Sequence, residues 1–177
     1  MRAKSALATV WLDGCSGCHM SLLDIDERLA HLLEQVDIVY GPLVDTKEFP
    51  NQVDITLVEG AVGNQHDLAL IQTIRQNTKI LVSMGDCAVR GNVSAMRNLA
   101  PRDDIYSLYT HHHEDAHFPH NEDLPELLPR VQPVHSIVKV DVFVPGCPPA
   151  ADVLYFTLNE LLADRLPDLT SLTRFGK

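Results

Sequence analysis

Residues 6–12, ALATVWL, run straight into Asp13-Gly14-Cys15-Ser16-Gly17-Cys18-His19. The first seven form a continuous apolar run of strand length, suited to a strand buried on both faces of a parallel sheet. Gly14 and Gly17 break the run, and Cys15 and Cys18 sit in the break. Leu22, Ile25, Leu29 and Leu32 then recur at spacings of three and four, with Asp24, Asp26, Glu27 and Glu34 on the other side. That pattern predicts an amphipathic helix over residues 19–34. The opening unit is therefore strand, cysteine-bearing loop, helix.

The same alternation continues along the chain. Residues 36–40 read as a second strand stopped by Gly41-Pro42, and residues 43–53 as irregular. Residues 54–59 are a third strand ending at Glu59-Gly60. Asn64 is placed to cap a helix reaching residue 77, with Leu68, Ile71 and Ile74 on its inner face. Residues 79–84 make a fourth strand broken by Gly85, and a short helix is expected over 88–99, before Pro101. Residues 138–144 are a fifth strand ended by Pro145-Gly146. Pro149 suits the first turn of a last helix with Leu154, Leu158, Leu161 and Leu162 inward, and the chain past Pro167 reads as a surface extension. Five strands alternating with helices predict an α/β fold. The expected form is flavodoxin-like: a parallel five-stranded sheet in the order 2-1-3-4-5 with helices on both faces. One domain would span residues 1–177, with a polar, His-rich insertion at about 102–135.

Composition narrows the function. With 177 residues and 45% hydrophobic content the chain can build one real core. A net charge of −10 speaks against a nucleic-acid partner. No run approaches the length of a membrane span. Residues 1–5 lead into the first strand without an apolar signal core or a twin-arginine pair, so a cytoplasmic protein is expected. Thiols stay reduced there, which favours metal over disulfides for the four cysteines.

In doubly wound sheets ligands bind beyond the carboxyl ends of the strands. Cys15 and Cys18 follow the first strand, Cys87 the fourth and Cys147 the fifth, so all four are expected at one edge. Four converging thiolates are the ligand set of an iron–sulfur cluster. Gly14, Gly17, Gly85 and Gly146 let the backbone come close to sulfur, and Cys18 falls near a helix N-terminus, whose dipole favours thiolate. Structural zinc is a rival, although zinc ribbons usually supply two C-x-x-C knuckles and the second pair is split here. A thioredoxin-like site would leave Cys87 and Cys147 unused. Four cysteines acting as small buried hydrophobes fit poorly with their glycine and proline neighbours. A flavin module would need the first loop for its phosphate, where Cys15 and Cys18 stand.

The motifs, taken together, resemble a known family. Trp11-Leu12-Asp13-Gly14-Cys15-Ser16-Gly17-Cys18 resembles the W-L…C-x-G-C segment of [NiFe]-hydrogenase small subunits. Val58-Glu59-Gly60, Gly85-Asp86-Cys87-Ala88 and Pro145-Gly146-Cys147-Pro148-Pro149 match its next three landmarks in order, over residues 6–160. The resemblance implies that Cys15, Cys18, Cys87 and Cys147 bind the proximal [4Fe–4S] cluster. The nickel–iron site would belong to a large subunit. No cysteine remains for the further clusters of membrane-bound relatives, so the chain looks most like the compact small subunit of cytosolic NAD-reducing (bidirectional) hydrogenases. That likeness implies diaphorase partner subunits carrying FMN and further iron–sulfur clusters. This chain would act as an electron-transfer subunit of a hydrogen:NAD oxidoreductase, not catalytic alone. Many relatives carry Glu just before the first cysteine; here Gly14 stands there, so a proton-transfer role for that Glu does not carry over. The cluster subunit of respiratory complex I is related but has adjacent cysteines, and the spacing Cys15-Ser16-Gly17-Cys18 favours hydrogenase chemistry over quinone chemistry. A complex I-like or other cofactor-reducing oxidoreductase is the alternative.

Four more features bear on the chemistry. Glu59 ends the third strand, as either a proton-path or interface carboxylate or a polar terminus facing water. His19 reads as a first-turn helix histidine, with a donor beside the cluster as its other reading, and Ser16 can offer its hydroxyl to the partner. The loops at 15–19, 59–63 and 145–149 are expected to form the large-subunit face. His113-Glu114-Asp115-Ala116-His117 fits H-E-x-x-H. Residues 103–129 hold seven acids and no Lys or Arg, so a solvated insertion is expected rather than a zinc helix.

Overall fold

The computed structural model describes residues 4–105, 107 and 125–173. In chain order its elements are β1 (Ser5–Trp11), α1 (Gly17–Leu23), α2 (Arg28–Leu33), β2 (Val36–Tyr40), β3 (Val53–Glu59), β4 (Val62–Asn64), α3 (Gln65–Asn77), β5 (Thr78–Met84), α4 (Asp86–Arg90), β6 (Leu127–Gln132), β7 (Val142–Val144) and α5 (Ala151–Leu162). Five of the strands pair in parallel in the order β2-β1-β3-β5-β7, which is the 2-1-3-4-5 order expected. The ladder keeps Trp11 opposite Glu59, Glu59 opposite Met84, and Met84 opposite Val144. The carboxyl ends of four strands therefore finish level, and their loops open on one edge.

Each face of the sheet buries its own core. Leu7, Ile55, Leu57, Val82 and Met84 point to the side covered by Leu22, Ile25 and Leu32 and by Val153, Leu154, Leu158 and Leu161 of α5. Val10, Val58 and Leu81 point to the other side, against Ile71 and Ile74 of α3 and Ala88 of α4. The period of two in the strands meets the three-and-four spacing of the helices, and both apolar sets leave water. Asn64 caps α3 as expected, its side-chain oxygen accepting the Asp67 N–H at 2.8 Å.

Several element limits differ from the sequence reading. The helix expected over 19–34 is two helices, separated where Asp26 takes φ 57°, a left-handed conformation that Asp tolerates better than most residues. Ile25 stays buried in that bend, which is why the apolar spacing looks unbroken. The helix expected over 88–99 stops at Arg90, where Gly91 turns to φ 90°, and a 3-10 turn follows over Ser94–Leu99. The fifth strand begins only at Val142. Before it, the Asp141 carboxylate takes the Leu81 N–H at 2.9 Å, where a ladder carbonyl would otherwise stand. Inside the stretch expected to be a polar insertion, β6 pairs antiparallel with β4 and buries Leu128 and Val131. The His113–His117 motif lies outside the described residues. Among the described residues no helix is long and apolar enough to cross a membrane.

Candidate metal centre

Four loops meet at the level edge, and hydrogen bonds stitch them together. After β1, Leu12 N–H donates to Glu59 O at 2.9 Å, and Asp13 and Ala61 exchange both backbone bonds at 3.1 and 2.8 Å. Gly14 and Gly60 make this approach possible: a Cβ at Gly14 would stand 2.9 Å from Gly60 Cα. Trp11 Nε1–H donates to Gly14 O at 3.0 Å and pins the loop from outside. After β5, Gly85 N–H donates to Val144 O and Asp86 N–H to Gly146 O, both at 2.8 Å. The Asp86 carboxylate accepts the Gly146 N–H at 3.0 Å, tying the loops of Cys87 and Cys147. Ser21 Oγ donates to Pro149 O at 2.5 Å and joins the loop of Cys147 to the helix that carries Cys18.

Cys18 and Cys87 each occupy the second position of a short helix that follows a strand, in α1 and α4. Cys147 lies in the Pro145–Pro149 loop. All four cysteines are free: Cys18 is buried, Cys87 half-buried, and Cys15 and Cys147 exposed. Burial pushes the Cys18 thiol far up, and Glu59, Cys87, Cys15 and Cys147, in that order, raise it further. The four sulfurs thus share one electrostatic neighbourhood. A thiolate there requires positive charge to sit among them. Gly85 marks how tight the site is, because a Cβ at that position would strike the Cys18 sulfur. Asn92 adds a donor, its Nδ2–H facing Cys147 Sγ at 3.3 Å. Among the described residues no three His, Cys, Asp or Glu side chains are set to grip one metal ion.

Glu59 does not face water; it is 2% exposed. Its carboxylate accepts the His19 N–H at 2.9 Å and lies 3.4 Å from the Cys18 N–H. It also pairs with His19 Nδ1, while His19 Nε2 is buried without a partner among the described residues. Ser16, the residue before α1, takes φ 60° and makes no side-chain cap. Glu59 supplies that cap from another strand, satisfying the first free N–H groups of α1 and facing the positive end of its dipole. The Ser16 hydroxyl donates to Cys15 O at 2.7 Å. The loop at 59–63 is buried within the chain, contrary to the expectation that it forms part of an outer face. The bond pairing of Asp13 with Ala61 covers it.

Sequence reasoning missed Asn92 and the stitching by Asp86. Asn92 follows Gly91 in a turn-like dipeptide, but nothing in its spacing points at a sulfur. The pairing of Glu59 with His19 was also missed, because register decides it.

Gly85 yields a direct prediction. At φ 86°, ψ 159° it holds a conformation nearly confined to glycine, in which another residue costs about 1–3 kcal/mol. Gly85→Ala is expected to lower the melting temperature and to displace Cys18, cutting to well under half any metal that the four cysteines hold. Metal analysis and a melting curve check this; full metal content in a stable variant would contradict it.

The fold and the site define a class: a doubly wound α/β domain with four free cysteines at the carboxyl edge of its sheet. The chain belongs to the family described as NADH ubiquinone oxidoreductase, 20 Kd subunit, whose pattern matches residues 15–161. It is 39% identical over 174 residues to the NAD-reducing hydrogenase HoxS subunit delta of Cupriavidus necator, spanning 95% of this chain and 83% of that one. It is 37% identical over 163 residues to a subunit of the F420-non-reducing hydrogenase of Methanocaldococcus jannaschii, covering 90% of this chain but 57% of the relative. Among solved structures, a chain of an NAD+-reducing [NiFe]-hydrogenase in the H2-reduced state superposes with a TM-score of 0.88 at 39% identity, covering 98% of this chain and 99% of that one. A [NiFeSe]-hydrogenase chain of Desulfomicrobium baculatum, at 20% identity and TM-score 0.60, shares the fold. The chain is thus a hydrogenase small-subunit-like protein related to the NAD-reducing enzyme.

Proposed function

We propose that this chain is the electron-transfer small subunit of a cytoplasmic NAD-reducing [NiFe]-hydrogenase, with Cys15, Cys18, Cys87 and Cys147 holding one [4Fe–4S] cluster. The observation that carries the reading is the stitching of the three cysteine-bearing loops at one sheet edge, with all four cysteines free. The donor chemistry fits. Each thiolate can take its own iron in a cluster, whereas one zinc ion needs all four donors within about 2.3 Å of itself. When bound, the cluster supplies a one-electron store. The chain's own residues supply the rest. Cys18 and Cys87 present sulfur from helix N-termini, Glu59 holds the Cys18 turn in place, and Gly85 leaves room for the sulfur.

The reading includes a large subunit with the nickel–iron centre and a diaphorase module with FMN and further clusters. Exposed apolar surface supports such partners. Trp11, Met20, Leu23, Leu33, Ile38 and Leu43 ring a groove of about 460 Å³ beside α1, with Leu43 88% exposed. A monomer rarely leaves so much apolar surface in contact with water. A single domain over residues 1–177 belongs to the same reading, with residues 127–132 of the expected insertion built into it as β6. A second reading, a subunit of another cofactor-reducing oxidoreductase, draws support from the description of the matching family.

Purification of the native complex tests the proposal. This chain is expected to contribute about four irons and four acid-labile sulfides to the complex, over and above those of the partner subunits, together with a nickel-bearing partner and hydrogen-dependent NAD reduction. Zinc in place of that share would replace the cluster reading. A flavin spectrum from this chain would point to a flavin module, and turnover of quinone but not hydrogen would favour the second reading.

A further inference from the structure

Asn92 stands outside the cysteine set yet is held against it. It takes φ 35°, a region that Asn enters more readily than most residues but at some cost. Its neighbours fix it there. Gly91 N–H donates to Cys87 O at 2.8 Å, and Ala95 N–H to Gly91 O at 3.0 Å. Ser94 Oγ donates to Asp13 O at 2.7 Å. The Asn92 turn is thereby anchored to the helix of Cys87 on one side and to the loop of Cys15 on the other. Across this fixed turn the carboxamide Nδ2–H meets Cys147 Sγ at 3.3 Å, within the longer range of bonds to sulfur. A metal-bound thiolate can only accept, so the nitrogen and not the oxygen of the amide must face it.

A donor aimed at a ligand sulfur stabilises the state with more negative charge, which is the reduced one. Cys147 is exposed, so water competes for its lone pairs, and a preorganised donor there has a larger effect than a mobile solvent molecule. We infer that Asn92 is an outer hydrogen-bond donor to Cys147 that raises the reduction potential of the cluster; this rests on the cluster reading above. The step is one electron in with no bond made or broken, and the amide keeps its proton.

The test is a redox titration of the assembled complex followed by electron paramagnetic resonance, with Asn92→Gly and Asn92→Asp. Glycine removes the donor and accepts the positive φ, so folding is spared. Aspartate keeps the shape but sets a negative oxygen against sulfur. The expected result is unchanged iron and sulfide content in both variants. The midpoint potential should fall in Asn92→Gly and fall further in Asn92→Asp. Midpoints equal to wild type, or higher, would overturn the inference. Loss of the cluster from Asn92→Gly would also overturn it, making Asn92 a structural residue. If the wild-type complex carries zinc on this chain and Cys18→Ser lowers neither iron nor sulfide, the cluster reading fails first, which metal analysis reveals before any Asn92 variant is titrated.

Discussion

Cys18→Ser in the assembled complex is expected to lower hydrogen-dependent NAD reduction by about ten-fold or more, equivalent to about 1.4 kcal/mol in the limiting barrier. NADH oxidation by an artificial dye at the diaphorase module should stay near wild type. Cys18 is the choice because it is the buried member of the set, packed into the core and electrostatically coupled to the other three thiols. Its sulfur fills the space that Gly85 leaves open. Serine offers a harder, shorter donor that holds iron less well. On the proposed reading the two assays part, because hydrogen-derived electrons would cross this chain whereas NADH would reach the dye without it. If both activities fell together in an intact complex, or neither fell, the assignment of this chain as the relay would be wrong.

Much of this site was legible in the sequence, because parallel α/β topology converts order along the chain into position in space. Strand-length apolar runs at 6–12, 54–59 and 79–84 mark the sheet, and a glycine or proline after each marks the loops. Once the strand order is 2-1-3-4-5, cysteines after the first, fourth and fifth strands must share an edge. What stayed hidden depends on register and on side chains acting as backbone. Asp26 breaks a helix whose apolar spacing is regular, because Ile25 remains inward through the bend. Asp141 cuts a strand short by taking a ladder N–H. The pairing of β4 with β6 joins two short pieces that have α3, β5 and α4 between them in the chain, and no local pattern announces that. The family likeness reached the four cysteines but not Asn92, whose place beside Cys147 is set by an angle and a distance.

Glu59 is the residue where register creates a role that composition could not. The pairing Trp11–Glu59 sets its side chain directly beneath the first turn of α1. There it accepts the Cys18 and His19 N–H groups and pairs with the His19 ring, in a place with almost no water. Glu59→Ala leaves those donors unmet. Each buried unmet donor costs about 1–3 kcal/mol, and even one such loss falls on the turn that presents Cys18. Each step of about 1.4 kcal/mol is a factor of ten in an opening equilibrium. Backbone amides of Cys18 and His19 are therefore expected to exchange with solvent deuterium roughly ten- to hundred-fold faster in the assembled complex, with distant amides of α3 unchanged. Glu59→Gln keeps the shape and one acceptor oxygen, so it should fall between the two. Iron content should follow the same order, highest in wild type and lowest in Glu59→Ala. Unchanged exchange at Cys18 and His19 in Glu59→Ala would show that the turn holds itself, and the carboxylate would then have no part in positioning the sulfur.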